Sequence, residues 1–137
     1  MRADTQAVTV PGGYRSIFTF LADPANLPTW AFGFARGIRR EGERWVVVTG
    51  HGEVPVRVEA DEARGVIDFH LEPAPGVEAV AYSRLLPNGD GAEYVFTQFQ
   101  TPGMPDDIFS GQRAALAEEL AILPAIIRAR TACDAGM

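Results

Sequence analysis

The sequence predicts an α+β fold, a curved antiparallel sheet of about seven strands gripping one long C-terminal helix, with two short helices after the first strand. Three observations predict it. Helical spacing is confined to a short early stretch and to one amphipathic run of more than twenty residues, from about Pro105 to Ala132. Between them the apolar residues recur at every second position. Turn residues divide that middle region into six strand-sized segments. Such a plan leaves an apolar hollow between sheet and helix, and so points to a protein that encloses a small hydrophobic molecule.

The elements follow in order. Thr5 to Val10 reads as a strand, ended by Pro11 and two glycines. Tyr14 to Ala22 places Ile17, Phe18 and Leu21 at helical spacing, and Asp23-Pro24 stops it because the residue before proline disfavours the α region. Pro24 to Trp30 allows another turn or two of helix before an aromatic cluster of Trp30, Phe32 and Phe34 around Gly33, which suits the rim of a cavity. From Gly37 the period becomes two. Ile38 to Arg40 and Trp45 to Thr49 form a hairpin about Glu41-Gly42-Glu43. Val54, Val56 and Val58 alternate with Pro55, Arg57 and Glu59, and Pro55 suggests an edge or bulge. After a turn at Asp61 to Gly65, Ile67, Phe69 and Leu71 alternate with Asp68 and His70, and should share one side of the sheet with the valines. Val77 to Leu86 and Ala92 to Gln100 are the last strands, with Asn88-Gly89-Asp90-Gly91 supplying the positive φ of a tight hairpin. Pro102-Gly103-Met104 ends the sheet. Pro105 suits the first helical position, and Asp106 and Asp107 complement the helix dipole. Phe109, Gln112, Leu116, Leu120, Leu123 and Ile127 mark one stripe, with Glu118, Glu119, Arg128 and Arg130 mostly away from it, and Pro124 should kink the helix.

Composition sets further bounds. A chain of 137 residues fits one domain, residues 1–137 with a core from about 5 to 130, large enough to bury roughly two thirds of its unfolded surface. Net charge −6 and a pI near 4.8 argue against nucleic acid or an anionic membrane as the main partner. All twelve basic residues are Arg, so no lysine Schiff base can form. Cys133 is the single cysteine, which leaves no intramolecular disulfide and no thiolate metal cluster. MRADTQAVTV has no signal-like apolar core and no stretch approaches a membrane span, so a cytoplasmic location is expected. Edge strands and an apolar rim leave room for a homodimer, though nothing self-complementary stands out.

Together with Ala22-Asp23-Pro24 before a tryptophan, Pro87-Asn88-Gly89-Asp90-Gly91 in the last hairpin and Pro102-Gly103-Met104 before the final helix, this plan resembles the START-like (SRPBCC) superfamily. Within it the chain is similar to bacterial polyketide cyclase/dehydrase-type proteins, from about Thr5 to Arg130. The resemblance implies a helix-grip fold with a deep cavity for lipids, sterols or polyketides. Members include carriers, aromatases and cyclases, and no invariant catalytic set is carried over. No cofactor and no metal is implied.

Few polar residues are candidates for chemistry. His51 lies in Gly50-His51-Gly52-Glu53, where the glycines could let an imidazole point inward beside a carboxylate, although a strand-connecting turn normally leaves it exposed on the surface. His70 shares the wet parity of Asp68 and reads as a convex-surface residue. Tyr82, Tyr94, Gln98 and Gln112 are candidates to orient a ligand carbonyl or hydroxyl, although the parity of the last two strands is ambiguous. Trp30, Phe34, Phe69, Phe96, Met104, Phe109, Leu116 and Leu120 are the expected apolar lining, in a fold where core and cavity wall can be the same residue. No phosphate loop, nucleophile elbow or HExxH is present, which argues against nucleotide hydrolysis, serine hydrolysis and zinc proteolysis. Three readings follow. The first is binding of a hydrophobic, lipid- or polyketide-like ligand. The alternative is a cyclase, aromatase or dehydratase in which Tyr82 or His51 handles protons. The third is a partner-binding module that exposes the Trp30 to Phe34 loop.

Overall fold

Alternation of apolar and polar residues builds seven strands, and a computed structural model places them in one antiparallel sheet of order β1-β7-β6-β5-β4-β3-β2. It describes the backbone of residues 1–135 and the side chains of residues 1–131, so the Cys133 side chain lies outside the described residues. The strands are β1 (Ala3–Pro11), β2 (Gly37–Glu41), β3 (Arg44–Thr49), β4 (Gly52–Asp61), β5 (Val66–Ala74), β6 (Val77–Asn88) and β7 (Gly91–Phe99). Two short helices, α1 (Tyr14–Ala22) and α2 (Leu27–Trp30), follow β1, and α3 (Asp106–Ala135) closes the chain. This is the α+β helix-grip arrangement.

Helix α1 ends at Ala22 because Asp23 is extended ahead of Pro24, and the Asp23 carboxylate caps the next turn through the Ala25 N–H at 3.0 Å. At the other end of the chain, Pro105 stands just before α3, and its carbonyl accepts the first helical bond from Phe109 at 3.1 Å. It therefore occupies the capping position and not the first helical one. Asp106 and Asp107 fill the first turn, and the helix runs through Pro124.

The registers settle which side chains face inward. Val56 opposes Leu71, Val58 opposes Phe69 and Ala60 opposes Ile67, so the β4 and β5 apolar sets share the concave side. Pro55 sits in a strand flanked on both sides, but the ladder to β5 begins only at Val56, so the proline meets β3 alone. In the last hairpin Asn88 opposes Gly91, and only Gly89 of that turn takes a positive φ, +60°. Asp68, of outward parity, is nonetheless buried, because Arg84 folds over it at 2.7 Å. Glu119 departs most from expectation. It lies flank-on to the α3 stripe and is only 4% exposed, since the loop after α2 packs over it.

Among the described residues, no helix is long and apolar enough to cross a membrane. None of their His, Cys, Asp and Glu side chains group in threes able to hold a metal ion.

Candidate functional site

The concave face is the site that the fold constructs. Its inward set is Val8 and Val10 on β1, Tyr94, Phe96 and Gln98 on β7, Ser83 and Leu85 on β6, Ile67, Phe69 and Leu71 on β5, and Trp45 and Val47 on β3. Four strands show one gradient along this face. At the α1 end Val10, Ala92, Leu85 and Ile67 are fully buried under Ile17 and Leu21. Toward the other end Val8, Phe96, Ala81 and Leu71 are only half-buried. The expected hollow is therefore packed core at its deep end and a partly open apolar wall at the other. Helix α3 lies along β1 and is braced by α2, and its buried Leu116, Leu120, Leu123 and Ile127 join the same core cluster as the inward residues of the sheet.

An aromatic cluster sits where the two halves meet. Trp30 stands 5.8 Å from Tyr94, 6.3 Å from Phe96 and 6.4 Å from Phe69, mostly edge to face, and Phe69 and Phe96 lie 6.1 Å apart. The indole Nε1 of Trp30 is buried without a hydrogen-bond partner among the described residues. A stranded buried donor costs about 1–3 kcal/mol, which makes this nitrogen conspicuous in an otherwise well-paired interior. The Tyr94 hydroxyl, by contrast, donates to Ser83 Oγ at 3.0 Å, and Ser83 Oγ in turn donates to the Ile67 carbonyl. Burial drives the Tyr94 pKa upward, so the phenol stays neutral.

At the open end a polar network ties sheet to helix. Asp4 Oδ2 accepts from Gln6 Nε2 at 2.8 Å and from Gln98 Nε2 at 3.1 Å, while Arg113 Nε reaches Asp4 Oδ1 at 3.4 Å. Gln98 also donates to the Gln112 carbonyl at 3.3 Å. On the opposite flank of α3, the Glu119 carboxylate accepts from the Gly33 N–H at 2.8 Å. Burial pushes its pKa up to about 7, against the pull of the Gly33 and Phe34 amides and with repulsion from Glu118 added.

The expected site residues separate cleanly. Trp30, Phe69, Tyr94 and Phe96 are brought together in the cluster. Phe34 is half-buried beside it, and Phe109, Leu116 and Leu120 form the buried stripe of α3. Gln98 faces inward within the network. Gln112 is exposed and contributes only its carbonyl, and Met104 is half-buried in the loop before α3. Tyr82 opposes Thr97 on the convex face and is 43% exposed, edge-on to Phe99 at 6.1 Å, because the inward position of that segment belongs to Ser83. His51 is exposed in the turn between β3 and β4, where its own N–H donates to Thr49 Oγ1 at 3.1 Å. Neither side chain faces the interior. His70 lies on the convex side between Glu59 at 3.0 Å and Glu78 at 3.1 Å. Of the rim aromatics, Trp30 is buried and Phe32 is partly exposed.

Ser83, Asp4, Gln6 and Glu119 were not singled out from sequence. Ser83 was within reach, since it alternates with Ala81 and Leu85. Glu119 carried no signal beside Glu118. Two surface clefts lie elsewhere. One of about 450 Å³ is on the convex side by Pro55, Arg57 and Glu78, and one of about 320 Å³ is between α1 and the end of α3.

Comparison with known proteins places the fold. No protein-family profile matches the chain, and no curated protein matches it in sequence. Solved structures do. The di-domain ARO/CYC protein BexL, from the BE-7585A biosynthetic pathway, superposes with a TM-score of 0.72 at 20% identity over 93% of this chain and 47% of its own, so the chain spans about half of that protein. The Aha1 dimer protein of Colwellia psychrerythraea gives 0.71 at 13% identity, over 93% of this chain and 96% of that one. A START superfamily protein of Mycobacterium smegmatis gives 0.64 at 14% identity, over 92% and 97%. The fold is START-like, of the SRPBCC type.

Proposed function

We propose that this START-like chain binds a small hydrophobic molecule against the open half of its concave face, between the loop after α2 and strands β3 to β7. The observation that carries this reading is the burial gradient. Phe34, Ile38, Trp45, Val58, Leu71, Ala81 and Phe96 continue the core outward yet remain partly exposed. A monomer that leaves a contiguous apolar wall open usually has something to cover it. Flat or chain-like molecules of the polyketide or lipid class match a wall made of ring edges and branched side chains. BexL, an ARO/CYC protein of a biosynthetic pathway, supports that class by likeness of fold.

Binding is preferred to turnover for a specific reason. The two groups considered for acid and base work, Tyr82 and His51, lie on the convex face and in an exposed turn, and the inward hydroxyls of Ser83 and Tyr94 are already paired with each other. Acid–base catalysis needs a group within hydrogen-bond reach of the reacting atom. An acidic chain with one cysteine fits a cytoplasmic setting. The test is to purify the protein and analyse its denatured extract by mass spectrometry. A co-purified hydrophobic molecule near one per chain is expected. An empty protein that also takes up no hydrophobic dye contradicts the reading.

A further inference from the structure

The concave face of the sheet holds few polar side chains, and nearly all of them satisfy one another. Asp4, Gln6 and Gln98 form the network with Arg113. Ser83 and Tyr94 are bonded together, and Thr49 Oγ1 donates to the Gly52 carbonyl at 2.7 Å. Arg40 is different. It opposes Trp45 across the β2–β3 ladder, and Trp45 in turn opposes Val56, so the guanidinium rises on the concave side. Its Cζ lies 5.0 Å from the centre of the Trp45 ring, at the rim of the half-open wall. Among the described residues, Arg40 has no carboxylate or hydrogen-bond acceptor. One position earlier on the same strand, Arg39 faces the convex side and is held by Glu41 at 2.9 Å and Glu53 at 2.8 Å. The other sheet arginines of β3, β4 and β6, Arg44, Arg57 and Arg84, also have outward parity. In a chain of net charge −6, Arg40 is, among the described residues of the strands, the one cation on the concave face, and like Arg44 and Arg57 on the outer face it has no carboxylate partner.

We infer that the molecule bound here carries an anionic head, a carboxylate in the simplest case, which pairs with Arg40 while its apolar body lies along Trp45, Leu71 and Phe96. The inference rests on the binding reading above and names the ligand class for that site. The exposed Arg40 guanidinium, stacked over the indole, keeps its N–H fork free, and that fork suits a planar carboxylate better than a neutral hydroxyl. Among the described residues, the buried Trp30 Nε1 adds a second unpartnered donor farther in.

Two matched pairs test it by isothermal titration, 2-naphthaleneacetic acid against 2-naphthaleneethanol and dodecanoic acid against dodecanol. In the wild type the acid of at least one pair should bind roughly five- to tenfold more tightly than its alcohol, as expected for a charge-assisted contact at a partly exposed site, with the preference shrinking as salt rises. Arg40→Gln should abolish the preference, Arg40→Lys should restore part of it, and Arg39→Gln should keep it. Equal binding of acid and alcohol in the wild type, or a preference that survives Arg40→Gln, overturns the anionic-head proposal and leaves the apolar site standing. Failure of all four compounds to bind overturns both.

Discussion

Glu119 of α3 accepts a 2.8 Å hydrogen bond from the backbone N–H of Gly33, in the loop after α2. The two are packed so tightly that a Cβ on Gly33 would lie 3.0 Å from Ala115 Cβ and 3.2 Å from the Glu119 carboxylate. This contact clasps one flank of the helix to the rim of the concave face, while Arg113 and Asp4 clasp the other.

That clasp should make stability depend on pH. The Glu119 carboxyl, 4.5 in its ordinary state, is pushed up to about 7 chiefly by burial. Between those values the folded protein holds a proton that the unfolded chain has released. The stabilisation is full below pH 4.5 and is lost as pH rises through 7. Thermal unfolding from pH 4.5 to 8.5 should therefore show the wild type losing on the order of 1–3 kcal/mol relative to Glu119→Gln. Parallel curves for the two proteins would mean that the carboxyl is not desolvated.

Gly33→Ala should loosen the same clasp. With Ala115 on the helix unable to retreat without moving α3, the variant is expected to lose about 1–2 kcal/mol, read as a lower midpoint in urea.

The Ser83 and Tyr94 hydroxyls should be energetically coupled. Ser83→Ala strands a buried phenol at a cost of about 1–3 kcal/mol, whereas Tyr94→Phe together with Ser83→Ala removes both partners. The double variant should be destabilised by less than the two single changes combined, in a double-mutant cycle measured by denaturant unfolding.

Trp30 has the opposite character. Trp30→Ala empties the centre of the aromatic cluster and should cost about 3–5 kcal/mol. Trp30→Phe keeps a ring and deletes the unpartnered N–H, so it should cost far less. Equal losses would show that the indole nitrogen has a partner after all.

Convex and concave substitutions should differ in their effect on binding. Tyr82→Phe and His51→Ala should leave affinity for a hydrophobic probe within about twofold, while Phe96→Ala should weaken it roughly tenfold, by the loss of one aromatic contact surface. Fluorescence titration reads both.

Much of this fold was legible in the residues themselves. Asp23-Pro24 marks the end of α1, the valines of β4 and Ile67, Phe69 and Leu71 share a face as alternation requires, and the last hairpin turns at Asn88-Gly89. What stayed hidden has physical causes. In β6 and β7 both alternating sets contain apolar residues, so only the pairing of β7 with β1 decides that Tyr94 and Phe96 face inward and Tyr82 outward. Glu119 sits beside Glu118 and reads as solvated, because nothing local announces that a loop more than eighty residues away will cover it. The depth of the hollow depends on how Trp30, Phe69 and Phe96 interlock, which is a matter of rotamers and not of pattern.

The most direct measurement of the central claim is a two-dimensional NMR titration of the protein with 2-naphthaleneethanol, followed through backbone amides and indole N–H groups. Saturable shifts concentrated at Phe34, Ile38, Trp45, Leu71 and Phe96 are expected, with the Trp30 indole signal among those that move. Shifts confined to the convex residues around Tyr82 and His70, or none at all, would contradict it.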